Sequence, residues 1–215
     1  AQILSEASLS LFVRQAAAIA LKKYVRKRWS IFFDTFTQDM VVNGIVQTVD
    51  ATPVEAKEHI RTSLLACLCD AEPKVRSQAS DILSLISSCD FPDHFPQLLP
   101  TLQAYLHSYA EQDAHAAYKV HGAMKFLLDL VHVELDENQL LMVAQQLVPL
   151  LQGIVSSSSD WITPHTRARC INVFHQCLIS LYMAKDTYVD TVHMVTTHYL
   201  PPWLQGMQVL MSPDF

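Results

Sequence analysis

Four times along this chain, four largely apolar positions recur with a spacing of four, three, four. Val13, Ala17, Ala20 and Tyr24 form the first set, and Val75, Ala79, Ile82 and Ile86 the second. Val120, Met124, Leu127 and Val131 follow, then Thr166, Cys170, Val173 and Cys177. On a helix of about 3.6 residues per turn this spacing lines four side chains along one face. The sets start 62, 45 and 46 residues apart. An interval in the forties is the mark of two-helix solenoid repeats, in which each unit buries its stripe only against its neighbours. Arg14, Arg76, His121 and Arg167 each follow the first residue of a set, which predicts a polar ladder tying inner helices to adjacent loops.

A second pattern alternates with the first. Leu99-Pro100-Thr101-Leu102, Val148-Pro149-Leu150-Leu151 and Leu200-Pro201-Pro202-Trp203 share an aliphatic residue, a proline, a free position and a large apolar residue. Proline removes a helix hydrogen bond and bends the axis, so each outer helix is expected to kink there and wrap its inner partner.

The two patterns predict a stack of helix pairs. Residues 1–8 close an outer helix and 9–29 form the first inner one. Residues 30–54, containing Asn43-Gly44 and Thr52-Pro53, read as a long connection without steady periodicity, which explains the stretched first interval. Outer helix 55–69 pairs with inner helix 74–89, 93–109 with 114–134, and 137–156 with 164–184; 186–211 is an outer helix without its partner. Grouped as repeats, the divisions fall at 1–29, 30–54 (the connection), 55–90, 91–134, 135–184 and 185–215. Apolar stripes at both ends of such a stack are left uncovered, and the chain reads as a piece of a longer protein.

Composition agrees with long helices. Half of the 215 residues are hydrophobic, only four are glycine, and the ten prolines fall mostly near segment edges. No apolar run reaches the roughly 18 residues of a membrane span, and no signal peptide opens the chain. The five cysteines lie in apolar stretches without a disulfide rhythm and read as free thiols. Cys67 and Cys69 point to different sides of a helix, and His193 with His198 or His115 with His121 share a face poorly. No metal site and no cofactor is expected. Nor is an enzyme: there is no glycine-rich phosphate loop, G-x-S-x-G elbow or H-E-x-x-H.

The net charge is −6, but residues 1–40 carry six basic and three acidic side chains. An acidic solenoid with a basic start suits basic protein partners better than nucleic acid.

The run Val13-Arg14-Gln15-Ala16-Ala17-Ala18-Ile19-Ala20-Leu21-Lys22-Lys23-Tyr24-Val25, with Trp29 beyond it, resembles the "VRxxAxxxLKxxxxxxW" helix of the importin-beta (karyopherin-beta) superfamily. Asp90-Phe91-Pro92-Asp93-His94-Phe95-Pro96-Gln97-Leu98-Leu99 is similar to that family's "DFPxxWPxLL" junction, with Phe95 in place of tryptophan. Val120-His121-Gly122-Ala123-Met124 and Thr166-Arg167-Ala168-Arg169 resemble the importin-nine branch. The resemblance implies an all-α HEAT-repeat solenoid, a right-handed superhelix of antiparallel helix pairs. It also implies a receptor that shuttles between cytoplasm and nucleus. Such receptors bind basic cargo such as histones, cross the pore on the Phe-Gly repeats of nucleoporins, and release cargo to Ran GTPase in its GTP form.

On that reading the candidate Ran contacts are Lys22, Lys23, Arg26, Lys27 and Arg28, together with Lys119 and Lys125 beside the third stripe. Glu134, Asp136 and Glu137 are candidates for basic cargo. Each also has a plainer role: the basic run opposes a helix dipole at its C-terminus, and Asp136 and Glu137 suit a helix start. Trp161, Trp203 and Phe91 are expected in the core. A HEAT scaffold of another kind, in a phosphatase or a chromosome-associated complex, is the competing reading.

Overall fold

The computed structural model describes residues 1–30, 33, 39–42, 45–48, 52–111, 114–132, 135–157, 162–183 and 185–210. Its first helices are α1 (Gln2–Ser5) and α2 (Leu11–Arg28), followed by a hairpin of β1 (Asp39–Val42) and β2 (Ile45–Thr48). Then come α3 (Val54–Cys67), α4 (Pro73–Asp90), α5 (Leu98–His107) with a 3-10 turn at Ser108–Ala110, and α6 (Ala114–Val131). The rest is α7 (Glu137–Gln146), α8 (Val148–Val155), α9 (Pro164–Met183), α10 (Val189–Met194), a π turn at Val195–Tyr199, and α11 (Leu200–Leu210).

Two layers result, and the fold is an all-α HEAT-repeat solenoid. The long helices α2, α4, α6 and α9 pack successively on one another, while α1, α3, α5 and α8 each pack on one of them from outside. One apolar cluster runs unbroken from Leu4 to Trp203. No helix pair has a separate centre, as stacking of incomplete units requires.

The second, third and fourth stripes are buried throughout: Val75 to Ile86, Val120 to Val131 and Thr166 to Cys177 face the neighbouring helices. The first is displaced by one residue. Val13 and Tyr24 are exposed, and the buried face of α2 carries Arg14, Ala18, Val25 and Trp29. Arg14 therefore stands where Val75 stands in α4, and the true first interval is one residue shorter. Its charge is accommodated because Nε donates to the Leu4 carbonyl at 2.8 Å and the guanidinium pairs with Asp70.

The proline expectation needs correction in detail. Pro100 lies in the first turn of α5, which starts at Leu98 rather than 93, so no kink forms. Pro149 lies in the first turn of α8, and Leu147 separates that helix from α7. Pro201 follows the π turn, which widens the helix where the proline ring and missing N–H disturb it. The outer layer is thus broken at the second and third motifs and not at the first.

The segment 30–54 also departs from expectation. β1 and β2 pair antiparallel from Val42↔Ile45 to Asp39↔Thr48. Asn-Gly between β-branched runs is the sequence signal for such pairing; residues 43 and 44 themselves are outside the described set. The segment is fastened at its end: Thr52 N and Thr52 Oγ1 both lie 2.9 Å from the Arg28 carbonyl, satisfying an oxygen left open at the end of α2.

Helix starts follow known chemistry. Pro73 opens α4, where its absent N–H costs nothing. Asp136 caps α7 in a full capping box: its carboxylate accepts from Gln139 N at 2.8 Å, and Gln139 Oε1 accepts from Asp136 N at 2.9 Å. Gln139 Nε2 also donates to the Phe91 carbonyl at 2.6 Å, binding this cap to the turn after α4. Phe91 and Trp203 are buried as expected, Trp203 stacked on Phe174 with 4.3 Å between centroids; Trp161 lies outside the described residues.

Candidate interaction surface on the inner helices

The inner layer carries a ladder of charge. Lys22 of α2 reaches Asp81 of α4 at 3.2 Å. Lys125 of α6 lies 3.8 Å from another oxygen of Asp81 and 2.5 Å from Asp129 one turn along its own helix. Ser80 donates to Asp129 from α4. Lysine and carboxylate alternate across three helices, so each carboxylate serves more than one rung. These groups are half exposed, and pairs of this kind contribute only about 0–1 kcal/mol each. Their effect is to fix which charges face outward.

Of the basic candidates, Lys22 and Lys125 are brought together through Asp81. Lys23, Arg26 and Lys27 are exposed along the last turns of α2, and Arg28 is half-buried. Lys119 stands apart, 3.7 Å from Glu111 at the start of α6. Of the acidic candidates, Asp136 and Glu137 are at the start of α7 and not on the inner layer. Asp136 is occupied as a cap, and Glu137 accepts from Thr191 Oγ1 of α10 at 3.1 Å; Glu134 lies outside the described residues.

The polar ladder beside the stripes divides. Arg76 Nη1 donates to the carbonyls of Asp70 at 2.6 Å and Ala71 at 2.9 Å. Arg167 binds the carbonyls of Val155, Ser157 and Ile162. Both tie an inner helix to the loop before it. Arg14 has moved into the core, and His121 makes no such tie: its Nδ1 is buried without a partner among the described residues. Burial, then repulsion from Arg169 and Arg76, pushes the His121 imidazole below its usual range.

Sequence reading missed the most enclosed charged group among the described residues. Asp90, at the end of α4, accepts from Trp29 Nε1 at 2.9 Å and from Arg61 Nη2 at 2.5 Å and Nε at 3.1 Å. Arg61 lies over the rings of Trp29 and Phe95, 5.6 and 5.5 Å from their centroids. One carboxylate so joins α2, α3 and α4. The clue was Asp90 preceding Phe91-Pro92, but its partners are 29 and 61 residues away.

Among the described residues no group of three His, Cys, Asp or Glu side chains is arranged for a metal, and no helix is long and apolar enough to cross a membrane. Burial raises the thiols of Cys67 to about 11 and of Cys170 and Cys177 to about 12, away from nucleophilic use.

The family model described as Importin-beta N-terminal domain matches residues 1–70. Importin subunit beta-5 of Schizosaccharomyces pombe is 28% identical over 203 residues, 94% of this chain and 19% of that protein. Importin-9 of Drosophila melanogaster is 24% identical over 180 residues, 84% of this chain and 16% of its own. Exportin-2 of the same fly is 26% identical over 97 residues, 45% of this chain and 9% of its own.

Over its first 70 residues the chain matches the importin-beta N-terminal domain, and along most of its length it is similar to importins.

It spans about a fifth or less of the length of these relatives. The match to the importin-beta N-terminal domain includes both halves of the Arg14–Asp70 pair and ends on the aspartate. The importin-beta residues that carried the resemblance now have physical roles. Arg14 and Trp29 of the "VRxxAxxxLKxxxxxxW" helix are its two buried polar anchors, and Lys22 is the first rung of the charge ladder.

Proposed function

We propose that this chain is the N-terminal part of a nuclear transport receptor that shuttles between cytoplasm and nucleus. Its inner helices engage Ran in the GTP form, and the acidic part of this chain beyond residue 40 contributes to holding basic protein cargo, histones among them, while outer helices meet nucleoporin Phe-Gly repeats. The division into repeats at 1–29, 55–90, 91–134 and 135–184 belongs to the same proposal, as does placement near the importin-nine branch. The observation that carries the Ran assignment is the exposed row Lys23, Arg26 and Lys27 on an inner helix, beside a Lys22 already drawn to Asp81. The net charge of −6 supports a basic cargo.

The test is the affinity of the intact receptor for Ran-GTP and Ran-GDP. The reading expects a strong preference for the triphosphate form, weakened about tenfold or more by Lys23→Glu with Lys27→Glu, with the thermal midpoint lowered only slightly because both side chains are exposed and oppose the α2 dipole. Equal affinity for the two nucleotide states would point to a HEAT scaffold of another kind. A preference that survives the charge reversals removes these residues as the contact.

A further inference from the structure

Where α4, α6 and α9 meet, Pro73, Arg76, Ser77, His121, Lys125 and Arg169 line a cavity of about 310 Å³. Four of these six side chains can carry positive charge, they come from three helices, and none is acidic. In a chain of net charge −6 this is a local reversal of sign.

Their existing partners differ. Arg76 is held by two loop carbonyls through Nη1 and lies 5.2 Å from the Tyr118 ring centroid, which leaves its remaining N–H groups uncommitted in a fixed fork. Lys125 is balanced by Asp129 and more distantly by Asp81. Asp70 and Glu72 act on Arg76 from the loop behind it. Arg169 has no hydrogen bond or ion pair among the described residues, and the buried His121 Nδ1 has no partner there either. Arg76 and Arg169 repel each other across the cavity, and both disfavour a charge on His121.

Arg169, the uncommitted side of the Arg76 guanidinium and the unpartnered His121 Nδ1 line one cavity with no carboxylate among its lining residues, a donor set that suits an oxyanion. Guanidinium forks match carboxylate and phosphate oxygens two at a time, and Ser77 and Lys125 supply further donors. We propose that this cavity binds an oxyanion carried on the side chain of a partner protein's peptide segment, a phosphate monoester or a carboxylate. The volume admits one such side chain with its first carbons, which suits a single projecting residue of a peptide segment. The proposal does not depend on the transport reading; the two share Lys125, and the tests use different residues, Arg169 here and Lys23 with Lys27 there.

The test uses one labelled peptide sequence in three forms, with phosphoserine, glutamate or serine at the central position, titrated against the intact protein by fluorescence anisotropy. The phosphoserine or glutamate form is expected to bind at least tenfold more tightly than serine, and Arg169→Gln to abolish that advantage. Arg169 holds no structural bond among the described residues, so this variant should keep the native melting profile; Lys27→Gln serves as a basic control that should retain the advantage. Phosphoserine binding better than glutamate, with inorganic phosphate competing, assigns the seat to phosphate; the reverse order assigns it to carboxylate. Equal binding of all three peptides, or an anion preference untouched by Arg169→Gln, overturns the proposal.

Discussion

Trp29 and Asp90, 61 residues apart, meet in the interior, the indole N–H 2.9 Å from a carboxylate that Arg61 also grips. Asp90 is 4% exposed and Arg61 5%. A buried charge pair gives little net stability against an apolar replacement, yet removing Asp90 leaves the buried Arg61 only the exposed Glu58, 3.2 Å from its Nη1. Asp90→Ala should therefore cost about 3–5 kcal/mol in chemical denaturation. Replacing Arg61 by Met in the same chain should recover much of the loss. A double variant no better than Asp90→Ala alone would show that the carboxylate acts through Trp29 instead.

Gly122 and Gly206 make opposite predictions from the same substitution. A Cβ on Gly122 would stand 1.8 Å from the Leu68 carbonyl oxygen, so α6 and the end of α3 touch backbone to backbone. Gly122→Ala must push two helices apart, at a cost of about 1–3 kcal/mol or more. A Cβ on Gly206 meets only Ser156 Oγ at 3.5 Å. Gly206→Ala should be neutral or gain up to about 1 kcal/mol from helix propensity. Thermal melts of the two variants check the contrast.

His121 makes stability depend on pH. Its imidazole is held below the ordinary 6.5 by burial first, and then by Arg169, Arg76 and His165. The unfolded chain takes up this proton near 6.5, whereas the folded one stays neutral to lower pH. The contribution is complete above pH 6.5 and drains away as pH falls through the folded value. His121→Gln should flatten that part of the stability profile relative to the parent, measured by denaturation between pH 5 and about 8.

Thiol labelling should separate the cysteines into two groups. Cys67, Cys170 and Cys177 are buried with thiols raised to about 11, 12 and 12, so the native protein should protect them from alkylation. Cys69 and Cys89 are half-buried and should label first. All five should label in denaturant, with mass spectrometry reading each site.

Three stripes were legible because their buried positions are apolar, so the period of the pattern and the face it marks coincide. In α2 they part: Val13 and Tyr24 are apolar but exposed, and Arg14 is charged but buried. Pattern reading chose hydrophobicity, whereas the fold chose a guanidinium whose acceptors, Leu4 and Asp70, only tertiary structure supplies. The hairpin at 39–48 was missed for a different reason, since its Asn-Gly signal is local and was overlooked among aperiodic neighbours. For the surface, Lys125 with Asp129 is an i, i+4 pair readable from sequence, but Asp81 bridging to Lys22 joins residues 59 apart. Asp136 went the other way: its position foretold a cap, and it is one.

The hold of Leu4 on Arg14 sets a practical limit on trimming. Anyone wishing to produce a smaller version of this domain would naturally cut before α2, the first long helix. That cut discards the oxygen on which the Arg14 side chain rests and opens the packing around Leu4, leaving Asp70 to restrain a partly wetted cation by itself. A helix of four residues, too short to persist alone, is for this reason indispensable to the one that follows it.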